Sequence, residues 1–185
     1  MDNQKIDRKI AVIFATDVVG FSTAMETDED QTLKNFRACK NILDDLFKEH
    51  SGRVFNTAGD SVLAEFSSAV SAVICASEFQ KLIQERNAST SLPENGKMEF
   101  RVGLNMGDVI VEGSNLYGDG VNVAARLEAL AQPNGVCLSK SIHDFVNKKT
   151  EFLFDDLGEQ KVKNTNVHAF DIVIDSSGKR REKIV

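Results

Sequence analysis

Two segments of the chain place a carboxylate where a metal ion or a phosphate can be handled. Asp17-Val18-Val19-Gly20-Phe21-Ser22 follows directly on a short apolar run. An aspartate at a strand end, with a glycine turn and a helix after it, offers a hard oxygen ligand beside outward backbone N–H groups. Asn56-Thr57-Ala58-Gly59-Asp60-Ser61 is a second such tip, in which Gly59 lets the chain turn. Two carboxylates on neighbouring strands repel unless a cation lies between them. Taken singly, Asp17 is equally a helix cap and Asp60 equally a turn aspartate. A third segment, Asn115-Leu116-Tyr117-Gly118-Asp119-Gly120-Val121-Asn122 and on to Arg126, sets Asn122 and Arg126 four apart. On a helix they share one face, an amide one turn ahead of a guanidinium, which suits an anion or a local surface contact. Lys161-Val162-Lys163-Asn164, late in the chain, reads by itself as solvated surface.

The elements that must position these groups follow from periodicity. Residues 10–15 are continuously apolar and predict a central strand buried on both faces. Leu33, Phe36, Cys39, Leu43, Leu46 and Phe47 recur at helical spacing. Residues 53–56 and 61–66 predict a hairpin about Gly59. Ser67 or Ser68 caps a further helix with Val70, Val73, Ile74, Phe79, Leu82 and Ile83 on its apolar side. Residues 100–104 and 109–111 predict a second strand pair about Gly107. Helical spacing returns from Gly120 until Pro133-Asn134-Gly135. A short strand at 136–138, a short helix at 142–146 and closing strands at 152–154 and 169–174 complete the order. This predicts an α+β sandwich: a ferredoxin-like βαββαβ core with a C-terminal βαββ extension, the sheet mostly antiparallel and flanked by helices. Residues 1–9 read as a polar N-terminal segment, 10–175 as the domain and 176–185 as a basic tail or linker.

Composition narrows the function. The chain has 185 residues, enough for one domain with a full core, and a net charge of -6. An acidic chain without a basic stripe is not built to neutralise a nucleic-acid backbone. No apolar run near the start approaches bilayer length, and the polar first residues do not form a signal peptide. Cys39, Cys75 and Cys137 stand singly, which fits a reducing, cytoplasmic setting. The histidines show no metal spacing, and neither a Walker loop nor a GxGxxG turn is present.

Taken together, IFATDVVGFS, NTAGDSVLAEF, FRVGLNMGDVIVEG, NLYGDGVNVAARLE and LGEQKVKN resemble, in order, the catalytic domain of class III nucleotidyl cyclases. The resemblance runs from about residue 10 to 174. It implies closure of a nucleoside triphosphate into its 3′,5′-cyclic monophosphate, with release of pyrophosphate. By position, Asp17 and Asp60 match the family's metal aspartates, assisted by the Val18 carbonyl, with two Mg²⁺ or Mn²⁺ ions per site. Asn122 matches the ribose-orienting asparagine, Arg126 the transition-state arginine and Lys163 the lysine on the terminal phosphates. Val19, Gly20, Phe21, Ser22 and Thr23 match the loop around the triphosphate. The resemblance also implies a head-to-tail homodimer, each site drawing its aspartates from one chain and its ribose and transition-state groups from the other.

Two positions depart from the usual adenylate-cyclase pattern. Asn56 stands where a lysine is common, and Asn115 where an aspartate is common. A carboxamide both donates and accepts, so this pair can face either adenine or guanine. The leading expectation is an adenylate cyclase acting on ATP. The alternatives are a guanylate or dual-specificity cyclase and, from another class, a non-catalytic nucleotide-binding regulatory dimer.

Overall fold

The computed structural model describes residues 5–174. The basic tail at 176–185 lies outside the described residues. The elements run β1 (Asp7–Val18), α1 (Phe21–Thr27), α2 (Glu29–His50), β2 (Arg53–Ala58), β3 (Ser61–Phe66), α3 (Ala69–Ala88), a 3-10 turn (Glu94–Gly96), β4 (Phe100–Glu112), β5 (Asn115–Tyr117), α4 (Asp119–Leu130), β6 (Val136–Ser139), α5 (Lys140–Val146), β7 (Leu153–Val162) and β8 (Thr165–Val173). They build one sheet in the order β2-β3-β1-β4-β6-β8-β7, with β5 paired to β4. β4 and β6 run parallel, and the other pairings are antiparallel. The α+β architecture expected from the sequence is the one observed.

β1 is apolar throughout because both of its faces are covered. Val12, Phe14 and Val18 point into a core shared with α2, α3 and α5, while Ala11, Ile13 and Ala15 pack beneath α4. α2 starts where Asp28 accepts a hydrogen bond from the Gln31 N–H at 3.1 Å, and α3 where Ser68 accepts from Ser71 at 3.2 Å. Both are ordinary N-caps. α3 buries Val73, Phe79 and Ile83, whereas Leu82, expected on the same face, is exposed. All three cysteines are buried, and none of them is in a disulfide. Among the described residues no helix is long and apolar enough to cross a membrane.

Several strands differ from the sequence expectation. β1 begins at Asp7, so its first turns of pairing take in residues counted above as the polar segment. Phe100–Glu112 is a single strand, paired to β1 from Asp7↔Val111 to Val18↔Phe100, and not two strands about Gly107. Gly107 is no turn: it pairs with Ala11, and a Cβ there would stand 3.5 Å from the Gly120 Cα of α4. The close approach is made by Gly120 instead, whose Cβ would stand 2.6 Å from the Asp108 oxygen and 3.1 Å from the Gly107 carbonyl carbon. The chain reverses instead at Gly113, in left-handed conformation (φ 60°), to form β5. The closing strands are also longer than expected and meet at a tight turn that includes Lys163.

Candidate functional site

The end of β1 and the β2–β3 hairpin form the first half of the site. Odd-numbered residues of β1 face α4, which puts Asp17 on that side of the sheet. Its register partner on β4 is Arg101, whose Nε and Nη2 reach Asp17 Oδ1 and Oδ2 at 3.3 and 3.2 Å. Gly59, at φ 59°, turns the hairpin so that Asp60 Oδ2 accepts a hydrogen bond from the Val18 N–H at 2.8 Å. The two aspartates chosen from sequence are thereby tied to consecutive residues at one strand end. Gly20, at φ 67°, then starts α1, whose first internal hydrogen bond runs from Ala24 N to Gly20 O. The N–H groups of Phe21, Ser22 and Thr23 therefore have no partner within the helix. Val19 differs from its neighbours in the turn, since its N–H donates to Glu99 O at 2.9 Å. The Phe21 ring packs on Phe36.

A third carboxylate, which the sequence reading missed, joins this group. Glu128 on α4 is 8% exposed, and its Oε2 lies 4.0 Å from Arg101 Nη2. Burial, then a hydrogen bond and repulsion from Asp17, push its pKa up to about 8, against the opposing pull of Arg101. Glycines bring it there. A Cβ on Gly103 would meet the Glu128 nitrogen at 2.3 Å and the Ala124 oxygen at 2.4 Å, so α4 rests on bare β4 backbone. Asn105 fixes the start of the helix by donating to Gly120 O at 2.9 Å. The signal in the sequence was Gly103, a glycine inside an expected strand, and Gly120 at the expected helix start, neither of which shows its partner until the helix is seen against the strand.

This donor set fits a hard divalent cation. It consists of carboxylate oxygens, with the Val18 carbonyl at the same strand end, in a place where burial and the neighbouring Asp17 already raise the pKa of Glu128. Elsewhere, Glu49, His50 and Glu78 bring ligand atoms within 4.8 Å of one another on α2 and α3. There a hydrogen bond between His50 Nε2 and Glu78 Oε2 at 2.9 Å accounts for the arrangement.

The second half lies on the outer side of α4. Asn122 and Arg126, one turn apart, line a cavity of about 350 Å³ together with Lys163 from the β7–β8 turn, and with Ala125, Ala129 and Val162. Arg126 Nη1 donates to Thr165 Oγ1 at 2.7 Å, which directs the guanidinium across this cavity. Lys163 occupies left-handed backbone, φ 54°, at the tip of the hairpin. Three residues chosen from two separate motifs thus share one recess, and Asp17 and Asp60 are not in its lining. α4 divides the two halves: Glu128 turns toward the sheet and Arg126, two residues earlier, toward the cavity.

Asn56 and Asn115 sit at a third place, where β2 runs beside β5. Arg53 Nη1 bridges the two strands by donating to Ser114 O at 2.6 Å. Asn56 is exposed. Asn115 is oriented: its Oδ1 accepts from the Leu116 N–H at 2.9 Å and its Nδ2 donates to the Tyr117 hydroxyl at 2.9 Å. The free flipping expected of this amide is restrained by the Leu116 N–H, which can donate to the amide oxygen but not to its NH₂ group.

Known proteins agree on the family of such a chain. The family described as the adenylate and guanylate cyclase catalytic domain matches residues 2–174. A putative adenylate cyclase 3 of Rhizobium meliloti (strain 1021) is 48% identical over 165 residues, covering 89% of this chain and 28% of the relative. An adenylate cyclase of Streptomyces coelicolor is 32% identical over 136 residues, covering 73% of this chain and 33% of the relative. The chain thus spans about a third or less of these curated relatives. Among solved structures, an adenylate/guanylate cyclase/hydrolase from Silicibacter pomeroyi superposes with a TM-score of 0.83 at 34% identity, covering 91% of this chain and 98% of that one.

Proposed function

The chain belongs to the adenylate and guanylate cyclase catalytic domain family, and on that premise we propose that it converts ATP into 3′,5′-cyclic AMP and pyrophosphate at sites shared between two copies. The observation that carries this reading is the division of the site. Asp17 and Asp60 meet at one strand end, while Asn122, Arg126 and Lys163 meet in a separate recess on the far side of α4. Neither half alone handles both ends of a triphosphate. A head-to-tail pair brings the aspartates of one chain against the recess of the other, and two-fold symmetry makes the arrangement twice.

Asp17, Asp60 and the Val18 carbonyl hold the divalent cations, Mg²⁺ or Mn²⁺. The cations, when bound, favour the alkoxide of the 3′-hydroxyl and neutralise charge on the departing pyrophosphate. The N–H groups of Phe21, Ser22 and Thr23, with the Gly20 turn, cradle phosphate oxygens as a helix start does. Asn122 of the other copy orients the ribose. Arg126 places its charge where negative charge grows on the α-phosphate oxygens, where a donor fixed in advance counts most. Lys163 attracts the terminal phosphates as a point charge.

ATP rests on the two relatives named as adenylate cyclases. One observation favours GTP as the second reading. With its oxygen held by Leu116 and one amide hydrogen on the Tyr117 hydroxyl, what Asn115 has left for a base is its second N–H, which suits guanine O6 better than the adenine 6-amino group. The test is purified protein with ATP or GTP and Mn²⁺, scored for cyclic nucleotide and pyrophosphate. Cyclic AMP is expected. Cyclic GMP alone replaces ATP by GTP, and nucleotide binding without product replaces catalysis by a regulatory role.

A further inference from the structure

A guanidinium at the end of a long flexible stem is not fixed by the helix that carries it, so α4 alone does not decide where Arg126 points. A second point of attachment does. Thr165, the first residue of β8, accepts a hydrogen bond on its Oγ1 from Arg126 Nη1 at 2.7 Å. Both ends of this bond stand on framework. α4 rests on bare β4 backbone at Gly103, and Thr165 closes the β7–β8 hairpin opposite Val162, in a ladder that runs back to Leu153↔Val173. A β-branched side chain is stiff about χ1, which keeps the hydroxyl where the strand puts it. Arg126 and Lys163 line the cavity and Thr165 does not, so the hydroxyl holds the guanidinium from the edge. It takes one of the five N–H groups of an arginine. The anchor is also neutral: an alcohol oxygen leaves the guanidinium its whole charge, whereas a carboxylate would compete with a phosphate for it. Lys163 lies two residues before Thr165 on the same hairpin, so this one bond also sets the spacing of the two cations.

We infer that Thr165 is a positioning residue for the cyclisation: its hydroxyl aims Arg126 at the α-phosphate oxygens and ties that aim to the hairpin that carries Lys163. The inference rests on Arg126 being the transition-state arginine. Without the hydroxyl, Arg126 keeps its charge and its place on α4 but samples several orientations, of which only some meet the oxygens where charge grows. The loss therefore falls on kcat and spares nucleotide binding.

The test compares Thr165→Val, which keeps the branched shape and removes the hydroxyl, with Thr165→Ser, which keeps the hydroxyl. Each is measured for kcat with ATP and Mn²⁺ and for equilibrium binding of 3′-deoxy-ATP, which lacks the attacking hydroxyl. Thr165→Val is expected to lower kcat on the order of tenfold, less than the roughly 100-fold of a full 1 Å displacement, because the guanidinium is still in place part of the time. Its affinity for 3′-deoxy-ATP is expected to stay that of wild type, and Thr165→Ser is expected to recover most of the lost kcat. The double variant Arg126→Ala/Thr165→Val should turn over no more slowly than Arg126→Ala, since a residue acting through another adds nothing once that other is gone. A wild type that forms no cyclic product, or an Arg126→Ala variant as fast as wild type, removes the premise and the inference with it. If Arg126→Ala is slow, three results overturn the role of Thr165 alone: Thr165→Val as fast as wild type, Thr165→Ser as slow as Thr165→Val, or a double variant in which the two losses multiply. Should Thr165→Val not fold, Thr165→Ala takes its place in every comparison.

Discussion

Gly103→Ala tests the seating of α4, the one element that contributes to both halves of the site. An added Cβ would lie 2.3 Å from the Glu128 nitrogen, 2.4 Å from the Ala124 oxygen and 2.8 Å from the Glu128 Cα. These are backbone atoms, so no rotamer change relieves the clash. Ordinary contact begins near 3.4 Å, and the helix must therefore retreat by about 1 Å, taking Asn122, Arg126 and Glu128 with it. Overpacking of this kind costs about 1–3 kcal/mol, and a backbone-to-backbone clash belongs at the upper end. At about 2–4 °C per kcal/mol for a domain of this size, the melting temperature should fall by roughly 6–12 °C. A shift of about 1 Å in a transition-state group costs on the order of 100-fold in rate. Turnover with ATP and Mn²⁺ should therefore fall by about that factor at temperatures where the variant remains folded. Gly158→Ala is the control. Its φ of 68° strains an alanine, but nothing lies within 4 Å, so it should lose about 1 kcal/mol and keep its turnover. A Gly103→Ala protein that melts within about 2 °C of wild type and turns over normally would refute the reasoning, because the close approach of α4 to β4 would then be dispensable.

The remaining predictions address single groups. Arg126→Ala should lower turnover by about 100- to 1000-fold with little change in nucleotide affinity; equal losses in both, measured by kinetics and by equilibrium binding, would contradict its transition-state role. Asp17→Ala and Arg126→Ala chains, each inactive, should regain activity when mixed, because a heterodimer contains one intact site. If mixed dimers form and stay inactive, the sharing of sites between copies is wrong. Burial alone would raise the pKa of Glu65, but hydrogen bonds from Lys9 at 2.7 Å and Arg53 at 2.9 Å, with their charges, hold it below the usual carboxylate value. Its folded value being depressed, Glu65 contributes stability above the ordinary carboxylate pKa that is lost as pH falls through the folded one. Urea unfolding should therefore find Glu65→Gln less stable than wild type at neutral pH, with the gap closing as pH falls into the acid range.

Local pattern carried much of this protein. The apolar run of β1, the helical stripe of α2, the Ser68 cap and the Gly59 hairpin were readable because each depends on residues close in sequence. The five motifs identified the family, since residue types and their order survive without coordinates. What linear order could not contain was contact across elements. Gly107 looked like a turn because a glycine reads the same whether the chain bends or runs straight on; only its pairing with Ala11 across the sheet decides between them. Arg101 and Glu128 looked like ordinary charges because nothing local marks a residue that will face Asp17 across a strand register or from a helix above it. Asn115 looked free to turn until its own backbone neighbour was seen to hold its oxygen. Residue chemistry, in short, was written along the chain. Which charges share a dielectric and a few ångströms is a property of tertiary packing, and that proximity sets how Asp17 and Asp60 are held.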